Sequence, residues 1–317
     1  MKLTAYIEGI GLLGPGLNNW PDSQAILKRQ APYQPQKTVL PAPSLLPAAE
    51  RRRSGALVKL TLATGLEAIA AAKLNAAGLP SVFSSSGGDG ENCHAICEML
   101  ASHDRQISPT RFHNSVHNTA AGYWGIATCS MTTSSVLCAF DASFGAGLLE
   151  AITQVVVDDT RTVLLACDTP YPEPLLSKRS IPDAFGMALV LAPEHSSQTL
   201  AKISVALTDE TADKLDDALE NLRVAIPAAR SLPMLCAIAM RHEYLVVLDY
   251  LDGTTLAVEI SFFCSQPNLT TNGSPHTSRI RVACACSTAL KHGTRKTYSA
   301  APQATAKLTT PCVRMAD

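Results

Sequence analysis

Apolar positions along the chain fall into short β-rich runs separated by stretches with helical spacing. Ala5 to Leu13 reads as a strand ending at the Gly14-Pro15-Gly16 turn, and Pro21 to Arg29 as a short helix with proline tolerated in its first turn. Residues 31–47 are proline-rich and aperiodic. Ala48 to Ala77 then carries Leu62, Leu66 and Ile69 on one helical face. Ser81 to Ser85 predicts a strand running into Ser86-Gly87-Gly88-Asp89-Gly90, followed by a helix over Glu91 to Ser102. Ser135 to Phe140 predicts a buried strand that breaks at Asp141-Ala142-Ser143, after which Leu148, Leu149, Ile152, Val155 and Val156 give a helix its apolar face. Strands at Thr162 to Cys167, Gly186 to Leu191 and Ala201 to Leu207 follow, then helices over Asp213 to Val224 and Ser231 to Met240. Two strands within Tyr244 to Ile260 flank Asp252-Gly253, a strong hairpin signal. The alternation predicts a layered α/β fold with mainly parallel strands over residues 1–261.

Phe262 to Asp317 departs from this pattern. It holds seven Lys or Arg against a single acidic residue and shows neither helical nor strand periodicity. It is expected to be a disordered basic tail, as an out-of-frame extension would be. Across the whole chain the net charge is −1, which argues against general nucleic-acid or anionic-membrane binding. The sequence contains no evident membrane-spanning run, and the N-terminus lacks the apolar core of a signal peptide. Of the ten cysteines, the six before Phe262 show no framework spacing and suit a reduced, cytoplasmic protein.

Two segments carry a family resemblance: ISPTRFHNSVHNTAAGYWGIA, from Ile107 to Ala127, and FDASFGAGLLEA, from Phe140 to Ala151. In that order they resemble the thiolase-fold condensing enzymes, most closely the β-ketoacyl synthase N-terminal domain family, over about Tyr6 to Ser261. The resemblance implies a thiolase-like layered fold, mainly the N-terminal half of a β-ketoacyl synthase, with no cofactor and no metal. It also implies an acyl carrier protein and a ketosynthase as partners. Some relatives resemble the chain length factor that pairs with an active ketosynthase, often beside genes for aryl-polyene pigments.

The position corresponding to the family's nucleophilic cysteine falls at or near Asp141. A carboxylate cannot form the thioester of the ping-pong reaction. Cys138, three residues earlier, is the alternative nucleophile, although within a strand it is expected to be a core thiol. His292-Gly293-Thr294 resembles the family's HGTGT motif but continues as Arg-Lys within the aperiodic tail. The resemblance therefore implies a non-catalytic partner subunit in fatty-acid or polyketide biosynthesis, the alternative being a synthase with an atypical nucleophile. Asp141, Ser143, Phe144 and Gly145 are expected to shape the acyl tunnel, and Phe112, His113, Asn114, His117, Asn118, Tyr123 and Trp124 to form the heterodimer interface. Arg51, Arg52 and Arg53 form a cationic cluster suited to docking an acidic carrier protein.

Other motifs have blander readings. His113 and His117 could share a helix face as metal ligands, but no third ligand follows from the spacing. Cys93 and Cys97 read as core positions on a helix. Ser143 lies in Asp-Ala-Ser-Phe-Gly rather than a G-x-S-x-G elbow, which favours capping over nucleophilic attack.

Overall fold

A computed structural model describes residues 2–215 and 218–263; the expected disordered tail, apart from Phe262 and Phe263, lies outside the described residues, as does His292-Gly293-Thr294. The strands are β1 (Leu3–Leu13), β2 (Ser81–Ser84), β3 (Ser134–Leu137), β4 (Thr162–Asp168), β5 (Phe185–Ala192), β6 (Ala201–Thr208), β7 (Tyr244–Leu251) and β8 (Thr254–Ser261). The helices are α1 (Trp20–Leu27), α2 (Ala48–Arg53), α3 (Ala56–Ala72), α4 (Gly90–Ala101), α5 (Pro109–His113), α6 (Thr119–Thr128), α7 (Ser143–Val157), α8 (Leu175–Lys178), α9 (Leu219–Ala225) and α10 (Leu232–Met240).

The strands form one sheet in the order β3-β2-β4-β5-β1-β6-β8-β7. Among the described residues only the β2–β3 and β2–β4 pairs are parallel. The other pairings, β1–β5, β1–β6, β4–β5, β6–β8 and β7–β8, are antiparallel, so the expectation of a mainly parallel sheet is corrected to a mixed one. The reason is that β5 inserts antiparallel between β4 and β1. A fully buried apolar run reads the same in either direction.

Strand alternation builds two cores. Val163, Leu165 and Cys167 of β4 face α3 and α6, whereas Leu164 and Ala166 face α7. Helix α3 lies directly on β1 because Gly9 and Gly11 have no side chains: a Cβ at these positions would fall 2.1 Å from the Ala68 carbonyl oxygen and 1.9 Å from that of Thr64. Opposite, Phe144, Leu148, Ile152 and Val155 of α7 pack with Ile10, Leu12, Met187 and Leu189. Phe140–Val157 has the length and apolarity of a membrane span, a feature missed in the sequence, yet in this fold its apolar face is packed in the core.

Several predicted elements shift. The helix expected over residues 48–77 is interrupted at Ser54-Gly55, dividing α2 from α3, and α3 ends at Ala72. Strand β3 stops at Leu137 and is an edge strand, only half-buried. Helix α9 starts at Leu219; the preceding Asp213 instead lies along β7, its backbone N–H donating to Val247 at 2.8 Å. The Asp252-Gly253 hairpin forms as expected, with Gly253 at φ +73°.

Candidate functional site

The parallel strands β2, β3 and β4 bring three chain segments to one end of the sheet, and β3 turns there into α7 through Phe140–Ala142. Ser143 staples the turn: its hydroxyl donates to the Phe140 carbonyl at 2.7 Å and accepts from the Ala139 N–H at 3.0 Å. Below it, Ser84 Oγ donates to the Ser143 carbonyl at 2.5 Å. Phe140 holds a left-handed backbone at φ +51°, a strained conformation for a bulky side chain. The residue is nevertheless 61% exposed.

Asp141 is held from two sides. Arg179 Nη2 lies 2.8 Å from Oδ1 and Arg230 Nη2 lies 3.1 Å from Oδ2. The Arg179 guanidinium also stacks on Phe140, 3.6 Å from the ring centroid, a cation–π contact. Both arginines are mostly shielded, whereas the carboxylate is 41% exposed. Phe140, Asp141, Lys178, Arg179, Ile181 and Val224 line a cleft of about 400 Å3 beside the elbow.

Asp168 organises the floor. At the end of β4 it is buried, and it accepts from the Ser86 N–H at 2.7 Å and the Ala228 N–H at 2.8 Å. It thereby ties the glycine-rich loop to the turn that carries Arg230. Burial pushes its carboxyl above the ordinary range, against the lowering effect of these N–H donors. Tyr171 lies across the loop where Gly87 and Gly90 leave room; a Cβ at Gly90 would come 2.0 Å from its ring.

Cys138 is exposed rather than in the core, because β3 ends before it; its Sγ donates to the Ser86 carbonyl at 3.2 Å. Cys93 and Cys97 are also exposed, correcting their core assignment: α4 buries only Gly90 and Asn92. Partial desolvation of the otherwise exposed Cys93 thiol raises it, with Cys97 beside it adding to the effect. Cys167 is buried and its thiol is pushed up to about 12, chiefly by that burial.

Of the residues expected to shape an acyl tunnel, Asp141 borders the elbow cleft. Ser143, Phe144 and Gly145 do not line it: Phe144 is 1% exposed in the core beneath α7, and Gly145 abuts Tyr250. Of the residues expected at a dimer interface, Phe112, His113, His117 and Asn118 are exposed. Asn114, Tyr123 and Trp124 are buried within the protomer, so their side chains are not free to meet a partner. Tyr123 donates to Asn114 Oδ1 at 3.2 Å, and Trp124 packs edge-on against Phe83. His113 ends α5 and His117 follows in the next turn, so the two do not share a helix face. Among the described residues no group of three His, Cys, Asp or Glu side chains converges as a metal site.

Arg51, Arg52 and Arg53 end α2 and are exposed; Arg53 pairs with Glu50 at 3.2 Å. Arg52, Arg53 and Arg111 border a groove shared with Asp89 and Glu91, next to the glycine-rich loop. The cationic cluster and the elbow therefore occupy the same end of the sheet. The roles of Phe140, Asp168, Tyr171, Arg179 and Arg230 were missed in the sequence. One signal was available, since Arg179-Ser-Ile-Pro and Arg230-Ser-Leu-Pro repeat a single pattern, each placing an arginine before an apolar segment.

Residues 24–239 match the family model described as the β-ketoacyl synthase, N-terminal domain. Comparison with curated protein sequences gave no match. Among solved structures, the chain resembles one in the complex of the ketosynthase ApeO with its chain length factor ApeC from Xenorhabdus doucetiae, with 21% identity, a TM-score of 0.62, and coverage of 81% of this chain and 99% of that one. It also resembles the ishigamide ketosynthase/chain length factor, with 14% identity, a TM-score of 0.58, and coverage of 81% and 99%. A third likeness is to the ketosynthase from module 1 of the bacillaene synthase of Bacillus amyloliquefaciens FZB42, with 12% identity, a TM-score of 0.56, and coverage of 82% and 76%. These likenesses support the thiolase-like ketosynthase fold.

Proposed function

The chain belongs to the β-ketoacyl synthase N-terminal domain family, and from that premise we propose that it is the non-catalytic, chain-length-factor-like partner of an active ketosynthase. The observation that carries this reading is the side chain at the elbow. Asp141 stands where the resemblance puts the nucleophile, and Arg179 and Arg230 occupy both its oxygens. An acyl group cannot be held there as a thioester. The pairing of a ketosynthase with a chain length factor in two structurally similar complexes supports the partner role.

The partner surface runs along β3. This strand has β2 on one side and is the outermost strand on the other, so its outer backbone groups are open to a further strand. Around it, Met131 is 96% exposed and Val157 71% exposed, with Ile126 and Val156 also accessible. Phe112, His113, His117 and Asn118 extend the surface. The heterodimer works in the cytoplasm on carrier-bound acyl chains of the fatty-acid or polyketide type, including aryl polyenes. Arg51, Arg52 and Arg53 receive the acidic carrier protein, and Asp141 and Phe140 border the channel that limits chain length.

A second reading rests on Cys138, an exposed thiol three residues before Asp141. Intact-mass analysis after incubation with acyl-loaded carrier protein separates the two. An adduct lost in Cys138→Ala would establish an atypical nucleophile and sink the non-catalytic assignment. No adduct here, with a co-expressed ketosynthase loaded and co-purifying, is the expected result.

A further inference from the structure

Helix α4 is attached to the protein chiefly at its first turn. Of its residues only Gly90 and Asn92 are buried. Asp89 caps the helix by accepting from the Asn92 N–H at 3.0 Å, and the Asn92 side chain donates to the Arg111 carbonyl at 2.9 Å. Cys93 and Cys97 are exposed and four residues apart on this helix, so their thiols share one face, one turn above the other. The two side chains meet: Cys97 acts on the Cys93 thiol through a hydrogen bond as well as by charge.

Their spacing decides what the pair can do. Positions i and i+4 of a helix hold their Cβ atoms about 5–6 Å apart, whereas a disulfide needs about 3.5–4.5 Å. An intact α4 therefore does not join the two sulfurs directly. One metal ion bonded to two thiolates at about 2.3 Å sets the sulfurs about 4.6 Å apart, a span that side chains one turn apart reach. The adjacent His94 and Glu98 engage each other, at 3.3 Å. Among the described residues no third His, Cys, Asp or Glu joins the thiols, so the pair offers two soft ligands rather than a tetrahedral set. We propose that Cys93 and Cys97 bind a soft, two-coordinate monovalent metal ion of the Cu(I) class, stapling one turn of α4. Two S–H bonds release their protons to solvent, two metal–sulfur bonds form, and the ion keeps its oxidation state. A cation between two neighbouring thiolates also removes their mutual repulsion. The site is independent of the role assigned to Asp141.

Anaerobic titration of the full chain with Cu(I), in competition with the chelator bathocuproine disulfonate, counts the ions retained. The comparison is with Cys97→Ser and with the double variant Cys97→Ser/Glu98→Cys, which keeps the number of thiols but moves one off the shared face. Both positions are solvent-exposed, so the variants keep the fold, as circular dichroism verifies. The parent chain is expected to retain one ion more than either variant. Hydrogen–deuterium exchange over residues 90–101 locates that ion: Cu(I) should slow exchange there in the parent and leave both variants unchanged. Equal retention by the parent and the moved-thiol variant, or exchange over residues 90–101 that Cu(I) does not slow in the parent, would overturn the proposal.

Discussion

Replacing Asp141 with Asn removes the charge between Arg179 and Arg230 while nearly keeping the side-chain shape. The two contacts, at 2.8 and 3.1 Å, are neither surface pairs nor buried ones: the arginines are 21% and 18% exposed and the carboxylate is 41% exposed. Exposed pairs contribute roughly 0.2–1 kcal/mol each, and well-shielded hydrogen bonds to charged groups about 1.5–3 kcal/mol. After discounting for the wet carboxylate, each contact is assigned about 1 kcal/mol. Asn keeps one acceptor, so the expected loss is about 1.5 kcal/mol, with two like charges left facing each other. Urea denaturation in dilute buffer measures this directly. In about 1 M salt, where the screening length is about 3 Å, the loss should shrink toward half. A double-mutant cycle with Arg230→Ala should give a coupling of about 1 kcal/mol. An unfolding midpoint equal to that of the parent, together with zero coupling, would refute the clamp and remove the physical basis for reading the elbow as locked.

Gly11→Ala should cost about 3 kcal/mol or more, because its Cβ would meet backbone and α3 would have to lift, while Gly78→Ala, with nothing within 4 Å, should stay within about 0.5 kcal/mol; denaturation curves check the pair. Glu8 is buried, which alone raises its carboxyl, but hydrogen bonds from Arg161 and Ser196 and the Arg161 charge hold it below its ordinary value of 4.5. Its contribution is therefore present above that value and lost as pH falls through the lower folded one, and Glu8→Gln should flatten this part of an acid-unfolding profile. Val157→Asp should leave the thermal midpoint of the isolated chain nearly unchanged, since the residue is 71% exposed, yet abolish co-purification with a co-expressed ketosynthase; undiminished recovery would refute the β3 surface. Phe140→Gly should be more stable than Phe140→Ala by about 1 kcal/mol, because only Gly adopts φ +51° without strain; a more stable Ala variant in urea melts would contradict that strain.

The sequence made the strand–elbow–helix unit and the Asp252-Gly253 hairpin legible because both depend on neighbouring residues: apolar spacing in one, a two-residue turn in the other. It misread the sheet direction because the run Phe185–Ala192, buried at every position, satisfies a parallel or an antiparallel neighbour equally. It misread Ser135 to Phe140 as a buried strand because apolar, β-branched content marks a strand, whereas burial depends on whether another strand lies beyond it; the strand found, Ser134–Leu137, is an edge. Cys138 followed the same error. The clamp was hidden for a different reason: Arg179 and Arg230 lie 38 and 89 residues from Asp141, and only the packed fold makes them neighbours.

The strained turn and the missing thiol bear on the same conclusion. A left-handed Phe140 costs about 1–2 kcal/mol, and such a conformation persists only where its surroundings enforce it. Here the enforcing contacts are the Ser143 staple and the stacking of Arg179, whose second function is to hold Asp141. One guanidinium therefore braces both Phe140 and Asp141, and Asp168 anchors the turn bearing the other arginine. Decay of a former active site would leave the elbow free to relax. The elbow is instead cross-braced from two distant chain segments, and that rigidity is consistent with the channel-wall role proposed for it.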